Sequence, residues 1–227
     1  SANGGYLLVG NTENGIEIFD KQGKIVNIYS SPPGIVLLST TGKRERSIVA
    51  YCKNGKLNYT SLKTKKKLAE YKTIEDLKSP RVIKNYTRIV GFSHGSVVSL
   101  NAYTGEVVEE YASRNAIFAC NEESEEALWI ESNDKKNAFY MHKGAKTSPS
   151  FTYKTKGVHI NCATEVASSV VLGMSDGTLQ VLQNEKDKPY LSCPFEYKTH
   201  GKTIDIACSN TSMFLLREDG IIKKDGR

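Results

Sequence analysis

Gly15, Gly55 and Gly95 stand forty residues apart, each at a turn that opens an alternating apolar run. This recurrence restricts the fold more than any other feature of the chain. Gly177 and Gly220 follow at a spacing of 43, and the gap of 82 from Gly95 to Gly177 holds two periods, with the glycine-free Asn133-Asp134-Lys135 at its middle. Glycine after Asn or Asp between apolar runs is a hairpin signal, because glycine reaches positive φ without steric cost. The clearest copy is Ser169 to Gln183: a short apolar run, a Ser-Asp-Gly turn, and a second run that alternates apolar with polar residues. Both runs have strand length.

Read in order, the chain repeats this unit. The first has strands over 6–10, 16–20 and 24–29; the second over 35–39, 47–52, 56–62 and 67–72. The third has strands at 81–83, 88–92, 96–101 and 106–111; the fourth at 116–120, 127–130, 137–142 and 150–153. The fifth runs from 158 to 193, and the sixth has three strands within 203–224. No segment sustains a helical apolar period of about ten residues. The best candidate, Thr73 to Lys78, is one turn at most and is cut off by Pro80.

A period near forty with four short strands per copy is the signature of β-propeller blades. One small twisted sheet cannot bury both faces alone, and radial stacking against its neighbours buries them. The predicted class is therefore an all-β propeller of about five to six four-stranded antiparallel blades. Residues 1–5 read as a cloning remnant or linker and 6–227 as one propeller domain, with repeats at roughly 6–31, 34–73, 80–113, 115–154, 157–196 and 202–225. The first repeat lacks an inner strand and the last an outer one. Two arrangements fit: a five-bladed ring closed by Thr203–Ser209 pairing with the first repeat, or an incomplete ring whose missing strands lie elsewhere. The second is favoured, since unpaired edges recruit strands.

Val158-His159-Ile160-Asn161-Cys162-Ala163 followed by Ser169–Leu182 resembles a WD-repeat blade, and Thr199-His200-Gly201 is similar to the histidine step that precedes the inner strand in that family. The third strands end in Phe19-Asp20, Ser61-Leu62, Leu100-Asn101, Met141-His142 and Leu182-Gln183 rather than Trp-Asp, so the hydrogen-bond network of that family is mostly absent. Gly15–Val26 and Gly95–Val107 also resemble quinoprotein-type repeats, with Tyr29 and Glu110-Tyr111 where those carry a tryptophan docking motif. Both resemblances imply a propeller; neither implies one activity.

With 39% hydrophobic residues, 227 positions suffice for a full core. The net charge of +6 is spread out. Its densest run, Lys63-Thr64-Lys65-Lys66-Lys67, reads as a solvated turn. Five cysteines at Cys52, Cys120, Cys162, Cys193 and Cys208 form no Cys-x-x-Cys pair and read as reduced core fillers. They argue for a cytoplasmic or nuclear setting and against use of the glycosylation patterns at Asn58, Asn85 and Asn210. No apolar run approaches the ~18 residues of a membrane span.

Catalytic patterns are scarce. His94, His142, His159 and His200 are dispersed, without ligand spacing, and read as structural. Asp205, Glu122 and Glu165 fall at unequal repeat positions and read as solvated loop charges. No metal site or cofactor is expected. The candidate binding residues are Lys43, Arg44, Arg46, Arg81, Lys84, Arg88 and Arg114, from loops and strand starts of the second and third repeats. On one face they would make a basic patch for an acidic peptide or phosphate backbone. Phe19, Phe92, Phe118, Phe139 and Phe214 are expected in the core. The expected function is a non-enzymatic protein-interaction scaffold whose partner supplies a strand or blade. The alternatives are an RNA- or DNA-associated propeller using the basic patch, and a propeller hydrolase or quinone-dependent enzyme.

Overall fold

The structure, a computed structural model, describes residues 7–11, 15–20, 22–30, 33–40, 47–133, 138–144, 151–154, 158–166, 169–185, 188–198, 201–208, 212–219 and 222–226. Among these there is no helix; every regular element is a strand. Two compact units result, Ser1–Ala112 and Ser113–Arg227.

The first unit holds three antiparallel sheets. The first is β1 (Leu7–Asn11), β2 (Gly15–Phe19) and β3 (Ile25–Tyr29). The second is β4 (Ile35–Thr40), β5 (Ser47–Cys52), β6 (Lys56–Ser61) and β7 (Lys67–Lys72). The third is β8 (Lys78–Ile83), β9 (Arg88–Ser93), β10 (Ser96–Asn101) and β11 (Val107–Ala112). Each strand pairs with its sequence neighbours. The turn glycines Gly55 and Gly95 have φ of 75° and 81°, the left-handed region that their hairpins require. A register shift recurs between the last two strands of each sheet, at Ile18/Phe19, Tyr59/Thr60 and Ser99/Leu100. Such bulges strengthen the twist that lets sheets stack as blades.

Alternation along β5 shows why its run is continuously apolar. Ile48 and Ala50 pack against Ile16, Ile18 and Tyr29 of the first sheet, while Val49 and Tyr51 join Leu57, Ile89, Val98 and Leu100 against the third. Both faces are buried, so no polar stripe is needed. Each of the Ile, Val and Leu side chains among them contributes about 1.5–3 kcal/mol on removal from water.

The second unit also holds three sheets. They are β12 (Ile117–Phe118), β13 (Leu128–Asn133), β14 (Ala138–Lys143) and β15 (Phe151–Lys154); then β16 (Ile160–Val166), β17 (Ser169–Met174), β18 (Thr178–Glu185) and β19 (Lys188–Lys198); then β20 (Thr203–Cys208), β21 (Ser212–Arg217) and β22 (Ile222–Gly226). Cys162, Val171 and Leu179 pack on Ile206 and Leu215 between the last two of these. Gly173 admits this packing, because a Cβ there would stand 2.6 Å from Cys162 Sγ. Cys52, Cys120 and Cys162 are buried and form no disulfide. Burial, opposed by the Asn58 amide, raises the pKa of the Cys52 thiol. Phe118 is in the core and Phe19 and Phe92 are half-buried; the side chains of Phe139 and Phe214 lie outside the described residues.

The first and last sheets have three strands each, against four in the others. β20 pairs with β21 within its own sheet. Gly220 and residues 134–137, where a glycine-free turn is expected, lie outside the described residues.

Candidate functional site

The predicted basic residues separate into three groups. Lys43, Arg44 and Arg46 lie outside the described residues, as do Thr199, His200 and Asn210. Arg114 is exposed in the second unit. Arg81, Lys84 and Arg88 share the β8–β9 hairpin of the first. Ile83 pairs with Arg88, so Arg81, two residues before Ile83, projects from the same face as Arg88. Lys84 is exposed in the turn at φ 51°. The Nη1 of Arg88 is buried and meets no hydrogen-bond acceptor.

The acidic candidates also differ in setting. Glu122 is exposed. Asp205 accepts the N–H of Ile206 at 3.0 Å. Glu165 is not a solvated loop charge: Ser124 donates to its carboxylate at 2.5 Å, and Asn121 Nδ2 donates to its backbone carbonyl at 2.8 Å. These bonds tie β16 to the turn that follows β12. Asn58 is only 6% exposed, so the folded chain withholds it from glycosylation.

His142 stacks on Trp129, with ring centroids 5.1 Å apart and planes inclined by 10°. Its Nε2 is 3.9 Å from a Glu131 oxygen, which also accepts from Ser113 at 3.0 Å. Burial lowers the imidazole pKa, and Glu131 opposes that shift. His94 holds Ser93 Oγ at 2.7 Å beside the β9–β10 turn, and the N–H of His159 donates to Ser175 Oγ at 3.1 Å. Among the described residues, no three His, Cys, Asp or Glu side chains stand together as a metal site.

The first sheet carries a feature that residue types alone did not mark. Its inner face, Leu8, Ile16, Ile18 and Tyr29, packs on the second sheet. The pleat therefore turns Leu7, Val9, Phe19 and Ile28 the other way, with Glu17 between Val9 and Ile28. On that face Leu7 is 62% exposed, Ile28 56%, Ile25 44% and Val9 37%. The edge of β1 away from β2 pairs with no strand among the described residues. This largely apolar face therefore lies beside an edge whose backbone groups are unpaired among the described residues.

Small antiparallel sheets, stacked face to face and copied along the chain, define a β-propeller repeat protein. Residues 1–192 match the sequence model of a family described as an N-terminal β-propeller domain, and the chain belongs to that family. It is 30% identical over 186 residues, 82% of its length, to an uncharacterized protein of Treponema pallidum (strain Nichols), and the match spans 30% of that relative. Among solved structures, it resembles the β-propeller domain of Cps50 (Swd1) from Myceliophteria thermophila. The TM-score is 0.68 at 11% identity, covering 99% of this chain and 84% of that one. It also resembles the computationally designed protein Ika8, with a TM-score of 0.66 at 12% identity, covering 98% and 68%. At such identities the likeness is one of fold alone.

Proposed function

We propose that this propeller is a non-enzymatic, WD-repeat-like interaction scaffold that accepts a β-strand from a protein partner along the free edge of β1. The observation that carries the reading is the exposed apolar face of the first sheet beside that edge. Strand addition satisfies the backbone groups of the edge, and side chains of the added segment cover Leu7 and Val9. In the full-length protein with its partners, those β1 amides that do not bond to β2 are expected to exchange hydrogen as slowly as the amides of β5. Leu7→Lys with Ile28→Lys is expected to abolish that protection while leaving the domain's own stability within about 0.5 kcal/mol, because both side chains are exposed in the domain alone. Free exchange at those β1 amides in the complete assembly, with β5 protected, overturns the reading.

A second reading rests on Arg81, Lys84 and Arg88 in one hairpin: a propeller that contacts RNA or DNA phosphates. Its test is a salt-dependent gel shift that Lys84→Glu with Arg88→Glu removes. A shift that ignores both salt and these substitutions ends it.

A further inference from the structure

A cleft of about 470 Å³ opens between the first two sheets. Its floor is Ile16, Ile48 and Ala50, closed on one side by Tyr29. This volume lies in the range of small-ligand pockets, which combine an apolar lining with a few placed polar groups. Two such groups are present. Asn58 sits on the same face of the second sheet as Ile48 and Ala50 and is 94% removed from solvent, from its 6% exposure. Its one hydrogen bond is a weak donation to Cys52 Sγ at 3.8 Å. Among the described residues no side-chain hydrogen bond to the amide oxygen accompanies this donation, and Asn58 lines the cleft, so the oxygen is available to a ligand there.

The second group is Lys65, on the rim. Its turn is fixed: Lys65 N–H donates to the Ser61 carbonyl at 3.0 Å, Thr64 N–H to Ser61 Oγ at 3.1 Å, and Ser61 N–H to the Lys66 carbonyl at 2.9 Å. The residue is held at φ 61°, a conformation non-glycine residues avoid unless the surroundings impose it. The other lining cation, Lys67, is paired with Glu70. Glu70 is 2.7 Å from Lys67 and 3.6 Å from Lys56. No carboxylate of the described residues pairs with Lys65, so the spare charge of the cleft is one cation above an apolar floor and the Asn58 amide.

We infer that this cleft binds a ligand that joins a compact apolar group to a carboxylate: the apolar group on Ile16, Ile48 and Ala50, the carboxylate on Lys65, and a neighbouring N–H on the Asn58 oxygen. A short-chain acid and the C-terminal residue of a peptide share this chemistry. The cleft shares Ile28 with the face beside the β1 edge, but Lys65 and Asn58 lie in the second sheet, so this inference does not depend on the scaffold reading.

The test is an NMR titration of the domain with N-acetyl-leucine, N-acetyl-leucinamide and octanoate, following the Asn58 side-chain amide and the Ala50 backbone. N-acetyl-leucine is expected to shift both signals saturably. The neutral amide is expected to bind about tenfold more weakly, as loss of one charged hydrogen bond implies. Lys65→Met is expected to weaken the acid by the same factor and leave the amide unchanged; the exposed substitution does not threaten the fold. Tighter binding of N-acetyl-leucine than octanoate assigns the site to peptide termini, and the reverse assigns it to free acids; both uphold it. Absence of shifts with all three probes at concentrations on the order of 10 mM overturns the inference, as does acid binding that Lys65→Met does not change.

Discussion

Leu77 lies directly on the backbone of Gly91. A Cβ at position 91 would stand 2.4 Å from Leu77 Cγ and 2.8 Å from both of its δ carbons. Leu77, only 3% exposed, is thereby seated in the core between the second and third sheets. Gly91→Ala must push it out of that seat. The expected cost is about 1–3 kcal/mol, a thermal midpoint lower by roughly 2–4 °C per kcal/mol. Because the clash is with one side chain, Leu77→Ala in the Gly91→Ala background should cost less than the two changes summed. Strict additivity in a calorimetric double-mutant cycle would show that the contact is not made.

The same leucine is fastened from the other side by a phenol. Tyr51 accepts the Leu77 N–H at 3.1 Å and donates to the Ile74 carbonyl at 2.5 Å. This bridge fixes the link between β7 and β8, and burial raises the phenol pKa. Tyr51→Phe preserves the ring and strands a buried N–H, at an expected cost of about 1–3 kcal/mol. The Leu77 amide is expected to exchange faster in the variant while amides within β10 keep their relative protection. Unchanged exchange at Leu77 would place its hydrogen bond elsewhere.

The repeat was legible because hairpin turns and alternation are local. Gly55, Gly95 and Gly177 each need positive φ, and each marks a turn that the backbone makes. The propeller class follows from that spacing alone. What joins one sheet to the next was not legible. Tyr51, Leu77 and Gly91 look like ordinary strand residues, and their roles arise from contacts across 26 and 14 positions of sequence. Glu165 was misjudged for the same reason, since Ser124 stands 41 residues away. Lys65 sat inside a lysine run that reads as a solvated turn; the turn is there, yet one of its side chains lines a cleft that only the packing of two sheets creates. The exposed face of β1 and β3 was hidden in the opposite way. Its residues are as apolar as core residues, and exposure depends on a neighbour that no local pattern reports.

Ser124 carries a comparable link in the second unit. It is buried, donates to Glu165 at 2.5 Å, and accepts the N–H of Asn121 at 2.9 Å. Ser124→Ala removes both bonds and leaves the Glu165 carboxylate short of a donor. A loss of about 1–3 kcal/mol is expected in urea unfolding. Glu165→Gln keeps the shape and restores an acceptor, so it should cost less. Equal losses from the two variants would mean that the serine hydroxyl does not depend on this carboxylate.

His142 makes the chain's stability depend on pH, and its one tryptophan reports it. Burial holds the imidazole pKa below its usual 6.5, with Glu131 only partly offsetting the shift. The unfolded chain therefore binds a proton at a higher pH than the folded chain does. Between the two pKa values the unfolded state carries more protons, so stability rises with pH there and is lost as pH falls from 6.5 through the folded value. Trp129 lies 5.1 Å from the ring and should change its emission as the imidazole charges. The expected fluorescence titration has a midpoint below 6.5, moves lower still in Glu131→Gln, and disappears in His142→Gln. A midpoint at or above 6.5 would mean that Glu131, and not burial, sets the charge of this histidine.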